Sequence, residues 1–153
     1  MVNDLKIKEI LYLQCVNFVE DTFRAIQNTI SEIQESLTSE TKSSAGDKHE
    51  TGRAMLQLER EKAGNQLAEI QKTREHLSKI TVSKSSGFVG LGSIIFTNKN
   101  NYYIAISAGE LKVDNTIFYA ISPNTPIGQL LMGKTKGDTI NFRGQLSKIE
   151  NLF

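Results

Sequence analysis

An α+β fold is predicted for this chain: a long antiparallel coiled-coil hairpin, then a small, mostly antiparallel β-sheet domain carrying one short helix. Three observations predict it. Apolar residues from Leu5 to Leu37 recur in alternating steps of four and three, a weaker helical period runs from about Glu50 to Ile80, and beyond Gly87 the pattern shortens to segments rich in β-branched and aromatic residues. With 153 residues, 39% hydrophobic and 23% charged, the chain is large enough to bury a core and belongs with ordered proteins. That length allows one domain or two small ones and excludes a large multidomain enzyme. A net charge of +1 lacks the basic excess that drives binding to a bare phosphate backbone, so a stand-alone DNA binder is not expected.

The first helix is threaded through Leu5, Glu9, Tyr12, Val16, Val19, Phe23, Ile26, Ile30, Ile33 and Leu37, and no proline interrupts it. Alternation of four and three brings one stripe of an α-helix repeatedly to the same partner. Near its start, Ile7, Ile10, Leu11, Leu13 and Phe18 widen the apolar face beyond what a two-helix seam covers, so that end is expected to dock on another layer. The polar stretch Thr38 to Gly46 suits a reversal of direction. The second helix then carries Leu56, Ala63, Leu67, Ile70 and Leu77 on the same spacing, with Arg60 and Arg74 in the gaps. About 30 residues at ~1.5 Å each give an arm on the order of 45 Å.

Short strands are expected at about 93–97, 102–107, 116–121, 138–143 and 145–151, with a turn at Asn98 to Asn101 and a looser connection from Gly109 to Asn115. Between them lies the short helix. Thr125 suits its N-cap and Pro126 its first position, Ile127, Leu130 and Leu131 share a face, and Gly133 can close it. The expected division is a hairpin over 1–82, a linker over 83–87 and a sheet domain over 88–153.

No G-x-S-x-G, P-loop, H-E-x-x-H or cysteine pair at metal spacing occurs, so hydrolase and kinase readings fail. Cys15, the single cysteine, reads as a structural thiol, and His49 and His76 are too far apart in sequence for a shared metal. With neither a signal segment nor a long apolar run, a reducing cytoplasm is the expected compartment. At the hairpin tip, Asp47 and Glu50 stand three apart at the start of the second helix. They fit a capping box, and they also fit two carboxylates carried to another molecule to help hold a hard cation; local sequence does not separate the two.

Two stretches carry a family resemblance. Ala45-Gly46-Asp47-Lys48-His49-Glu50 is similar to the tip pattern of the Gre family of bacterial transcript-cleavage factors, and Ile121 to Thr139 is similar to that family's Ser-Pro stretch, short helix, Gly-Lys and Gly-Asp run. The resemblance spans the whole chain and implies an FKBP-like fold for 88–153. It also implies RNA polymerase as the partner, with no sequence-specific nucleic-acid binding, no membrane and a monomeric state. Asp47 and Glu50 would position a Mg²⁺ shared with the polymerase, the chain having no cofactor of its own, and Asn124, Thr125 and Pro126 would grip the rim of the secondary channel. The chain would then be no enzyme itself but a stimulator of polymerase cleavage of backtracked RNA. Lys48, His49 and Thr51 differ from the family's apolar residue, basic residue and Asn, so a channel-binding regulator or inhibitor without cleavage stimulation is the second expectation. A dimerising structural coiled coil is the third. A prolyl isomerase is not expected, since Phe88, Phe96, Tyr102, Tyr103, Phe118, Tyr119 and Phe142 are more simply core or surface residues of strands.

Overall fold

Neither proline nor glycine interrupts the sequence from Asp4 to Lys42, and in a computed structural model that stretch is one helix, α1 (Asp4–Lys42). The structure describes residues 3–42 and 47–153, giving backbone alone for 40–42 and 47–49. A second helix, α2, spans Asp47–Ser78. Helix α1 therefore runs on through Thr38 to Lys42, where a loop was expected: that polar run holds no helix breaker before Gly46. The remainder of the expected reversal, 43–46, lies outside the described residues.

By packing, the chain divides into two units, one of Val19–Arg74 and one of the residues up to Phe18 together with Glu75–Phe153. In the helical unit, Val19 and Ile33 of α1 and Ala63 and Ile70 of α2 are buried, and Phe23, Ile26, Ile30, Leu37, Leu56 and Leu67 are half-buried on the same stripes. The pairing is antiparallel. Near one end Arg74 grips Glu20 through two bonds of 2.9 Å, and farther along Arg53 donates to the carbonyl of Leu37 at 3.3 Å. The Arg74 guanidinium also stacks 3.9 Å from the Phe23 ring centroid.

The other unit is built on six strands: β1 (Ile94–Thr97), β2 (Asn101–Ile104), β3 (Gly109–Val113), β4 (Thr116–Ile121), β5 (Thr139–Phe142) and β6 (Gln145–Leu152), in the order β3-β4-β2-β1-β6-β5. All neighbours are antiparallel except β2 and β4. Strand β3 occupies the expected loose connection of 109–115. It is an edge strand with Glu110 and Lys112 exposed, so its alternation carries little apolar signal.

Alternation along the strands gives the sheet two apolar faces. Ile95, Ile104, Ile140 and Ile149 form one cluster with Val89, which precedes β1, and with Leu131 of the short helix α3 (Pro126–Leu131). Ile94, Tyr103, Phe118 and Ala120 point the other way and are also buried. The first turns of α1 lie over that second side: Leu11 and Cys15 are fully buried, Gln14 Nε2 donates to the Lys112 carbonyl at 2.9 Å, and the Tyr103 phenol pKa is raised by burial and, secondarily, by the nearby Cys15 and Tyr12. The expected docking of this end is thus observed, with a different stripe. Lys8, Leu11 and Cys15 are its deep positions, whereas Leu5 is 43% exposed and Glu9 faces solvent. In α3 the buried face holds Gly128 and Leu131, and Leu130, expected on it, is 37% exposed.

Candidate functional site

Ser122, Pro123 and Asn124 lead into α3 through a turn closed by its own hydroxyls. The Thr125 Oγ1 donates to the Ser122 carbonyl at 2.7 Å and accepts from Gly128 N–H at 3.1 Å, while Asn124 N–H donates to Ser122 Oγ at 3.2 Å. Thr125 has an extended backbone and Pro126 follows at the start of the helix, as the capping pattern predicts. Behind the turn there is no room for a side chain: a Cβ on Gly128 would lie 2.3 Å from the Ser122 carbonyl oxygen. Gly133, with φ of 81°, ends the helix in the left-handed conformation, and its N–H donates to the Val89 carbonyl at 2.9 Å.

Of the three expected rim-gripping residues, Thr125 is therefore committed to the turn itself. Asn124 and Pro126 are exposed, and among the described residues the Asn124 side-chain amide makes no hydrogen bond. A groove of about 230 Å³ adjoins Asn124, lined by His76 at the end of α2, Lys79 just beyond it, Leu91 and Ser122. Sequence reasoning did not bring His76 and Lys79 to this loop. No local pattern could, because the juxtaposition is made by the sheet unit folding across residues far apart in the chain.

At the tip, Asp47 is the first residue of α2 and Glu50, one turn on, is exposed. Ala45 and Gly46, and the side chains of Asp47, Lys48 and His49, lie outside the described residues. Among the described residues no group of three or more His, Cys, Asp or Glu side chains could hold a metal ion.

Two groups stand apart from both surfaces. Burial pushes the Cys15 thiol up to about 12, which keeps it protonated and packed. Lys8 is 2% exposed; its ammonium donates to the Ser83 carbonyl at 2.6 Å and sits 5.1 Å from the Phe153 ring centroid, and desolvation pulls its pKa down to about 8. The sequence gives no sign of a buried lysine, since a charge beside an apolar stripe reads as solvated. No described helix is long and apolar enough to cross a membrane.

No protein-family model matches the chain, and no curated protein matches it. Two solved structures align over most of its length. One, described as the structure of the transcription factor Gfh1, is 16% identical over 92% of each chain with a TM-score of 0.34. The other, a crystal structure of GreA factor homolog 1 (Gfh1) of Thermus thermophilus, is 16% identical over 93% of this chain and 94% of that one, with a TM-score of 0.35.

Proposed function

We propose that this chain binds RNA polymerase at its secondary channel and stimulates cleavage of backtracked RNA, contributing the carboxylates of Asp47 and Glu50 to the polymerase's own site. One observation carries the reading. Asp47 opens α2 where two helices of 39 and 32 residues pair antiparallel, and one turn later stands an exposed acid, Glu50. The sequence resemblance of the tip and of Ile121 to Thr139 to the Gre family supports it. So does the turn at Ser122 to Gly128, which offers Asn124 and Pro126 outward on a closed framework. On this reading residues 88–153 form an FKBP-like domain, the hairpin spans 1–82, and Asn124 and Pro126 meet the channel rim while Thr125 holds their turn.

Two exposed carboxylates are too few oxygen ligands to hold Mg²⁺ alone, so the metal and its remaining ligands belong to the polymerase. The isolated chain then has no nuclease activity. Pull-down from a bacterial lysate should recover polymerase subunits, and recovery of none with the chain in excess would overturn the reading. With backtracked polymerase, Asp47→Asn or Glu50→Gln should remove most of the cleavage stimulation and leave binding intact. A loss of about 1 kcal/mol of stability with no cleavage defect would instead assign the pair to helix capping.

Lys48 favours a second reading. It adds a cation next to Asp47, where a metal must be drawn in, which suits a channel-binding regulator that does not stimulate cleavage. Lys48→Leu should strengthen cleavage on the first reading. Binding without cleavage in wild type and in Lys48→Leu would establish the second. Sedimentation as a dimer without polymerase binding would favour a structural coiled coil.

A further inference from the structure

Helix α3 covers only part of its face of the sheet. Beneath it Ile104, Ile140 and Ile149 are sealed by Leu131, but past Ile127 the same face stays open over Tyr102 and Phe142 as a cleft of about 320 Å³. That volume suits a few side chains or a small ligand. Two turns frame the opening, and each holds up a cation.

Lys99 stands on the β1–β2 turn, which is clamped from below. The buried Thr97 Oγ1 donates to the Asn100 carbonyl at 2.6 Å and accepts from the N–H groups of Lys99 and Asn100 at 3.1 and 2.9 Å, and Lys148 N–H donates to Asn98 Oδ1 at 2.9 Å. Arg143 stands on the β5–β6 turn with φ of 55°, followed by Gly144 at 83°. Two consecutive positive φ values make a type I′ turn, whose first central position favours Asn, Asp or Gly over a long side chain. The arginine is held there regardless, its guanidinium 4.9 Å from the Phe142 ring centroid. Among the described residues neither Lys99 nor Arg143 has an ion-pair partner, and no carboxylate lines the cleft. The nearest acid along the Tyr102 row is Glu110, two strands away beyond Tyr119 on β3.

We propose that this cleft binds a short acidic segment of a protein partner, with carboxylates on Lys99 and Arg143 and an apolar side chain on Tyr102, Ile127 and Phe142. Charge complementarity selects the occupant: two unpaired cations beside Tyr102, Ile127 and Phe142 match a carboxylate next to a Leu-like residue, with Asn100, Gln145 and Ser147 completing a polar wall. A nucleic-acid strand is a poorer match, because tracking a phosphate backbone takes a longer basic groove than two cations at a net charge of +1 supply. The inference does not depend on polymerase being the partner.

The test uses the full chain, isotope-labelled for NMR, and three probes at low salt: a blocked Glu-Leu-Glu peptide, its Gln-Leu-Gln analogue and a short oligouridylate. The acidic peptide should shift the amides of Asn100, Tyr102, Arg143 and Gln145, and the other two should not. Lys99→Gln and Arg143→Gln should each weaken binding by up to about 5-fold, with the loss shrinking as salt rises. Arg143→Asn provides the control for structure. It suits the left-handed turn and should keep or raise the melting temperature while weakening the peptide. Equal binding of the analogue or the oligouridylate, shifts confined to another surface, or no shifts at all would overturn the proposal. Loss of stability in Arg143→Asn would overturn it too, by giving the arginine to the fold.

Discussion

Lys8 is where a single residue should be felt most clearly in solution. Unfolded, its ammonium keeps its proton up to about 10.5; folded, it lets go near 8, because burial penalises the charge. Between those values the unfolded chain binds more protons, so this residue's contribution to stability rises with pH. Cys15 works in the opposite sense. Its thiol, ordinarily near 9.0, is pushed up to about 12, so above pH 9 the unfolded chain releases a proton that the folded one keeps and stability falls; Tyr103, also raised by burial, adds to that fall higher still. The gain from Lys8 is thus readable between pH 8 and 9. Urea unfolding of wild type and Lys8→Met across that window should show wild type gaining on the variant, and parallel curves would mean that the folded lysine keeps its proton. Gly128 is the second sensitive position. Alanine there would drive its Cβ against the Ser122 carbonyl, and a loss of about 1–3 kcal/mol in urea unfolding is expected, with displacement of the Asn124 turn. The cap at Thr125 was legible in the sequence because capping chemistry follows from residue type, whereas the need for glycine at 128 was not, because it comes from how closely the 122–125 turn folds back on the helix start, which no periodicity records.

Among the elements, the helical pair was the most readable, since a 3.5-residue period sustained over many turns has one physical meaning. Its ionic lock was less so, and its worth can be measured. Glu20 and Arg74 are each about 40% exposed, at 44% and 39%, so a double-mutant cycle with Glu20→Gln and Arg74→Gln should give a coupling of ~0.5–1 kcal/mol that declines with salt. Arg74→Lys should lose most of it, because lysine keeps the charge but neither the fork nor the stacking on Phe23. Zero coupling would assign the pairing to the apolar stripes alone. The strands were read less evenly. Thr116–Ile121 stood out through Ile117, Phe118, Tyr119 and Ile121, while Gly109–Val113 offered only Leu111 and Val113 among charged neighbours. An edge strand needs apolar residues on one side only, and five residues are too few to display that side. The cleft under Lys99 and Arg143 had no local signature at all, being assembled from two turns and a helix start.

For the whole molecule, the expected domain at 88–153 can be examined by expressing the chain from Ser86 onward. Ile94, Tyr103 and Phe118, now buried, would lose the cover that the first turns of α1 help to provide. Such a fragment is expected to bind a hydrophobic dye and unfold without a sharp transition, and adding a peptide of residues 4–18 should restore part of the cooperativity. A sharp transition in the fragment alone would make 88–153 self-sufficient. The sheet order also has a consequence in time. Strand β6 lies between β1 and β5 and pairs with both, and the Ile94 and Phe153 backbones exchange hydrogen bonds of 2.8 and 3.0 Å. During synthesis, then, β1 waits without its central neighbour until nearly sixty further residues have left the ribosome, a delay of several seconds at ~5–20 residues per second. Leu11 and Cys15 wait longer still, on a helix made long before the surface that buries them. A nascent chain of this protein carries an uncovered apolar stripe for most of its elongation.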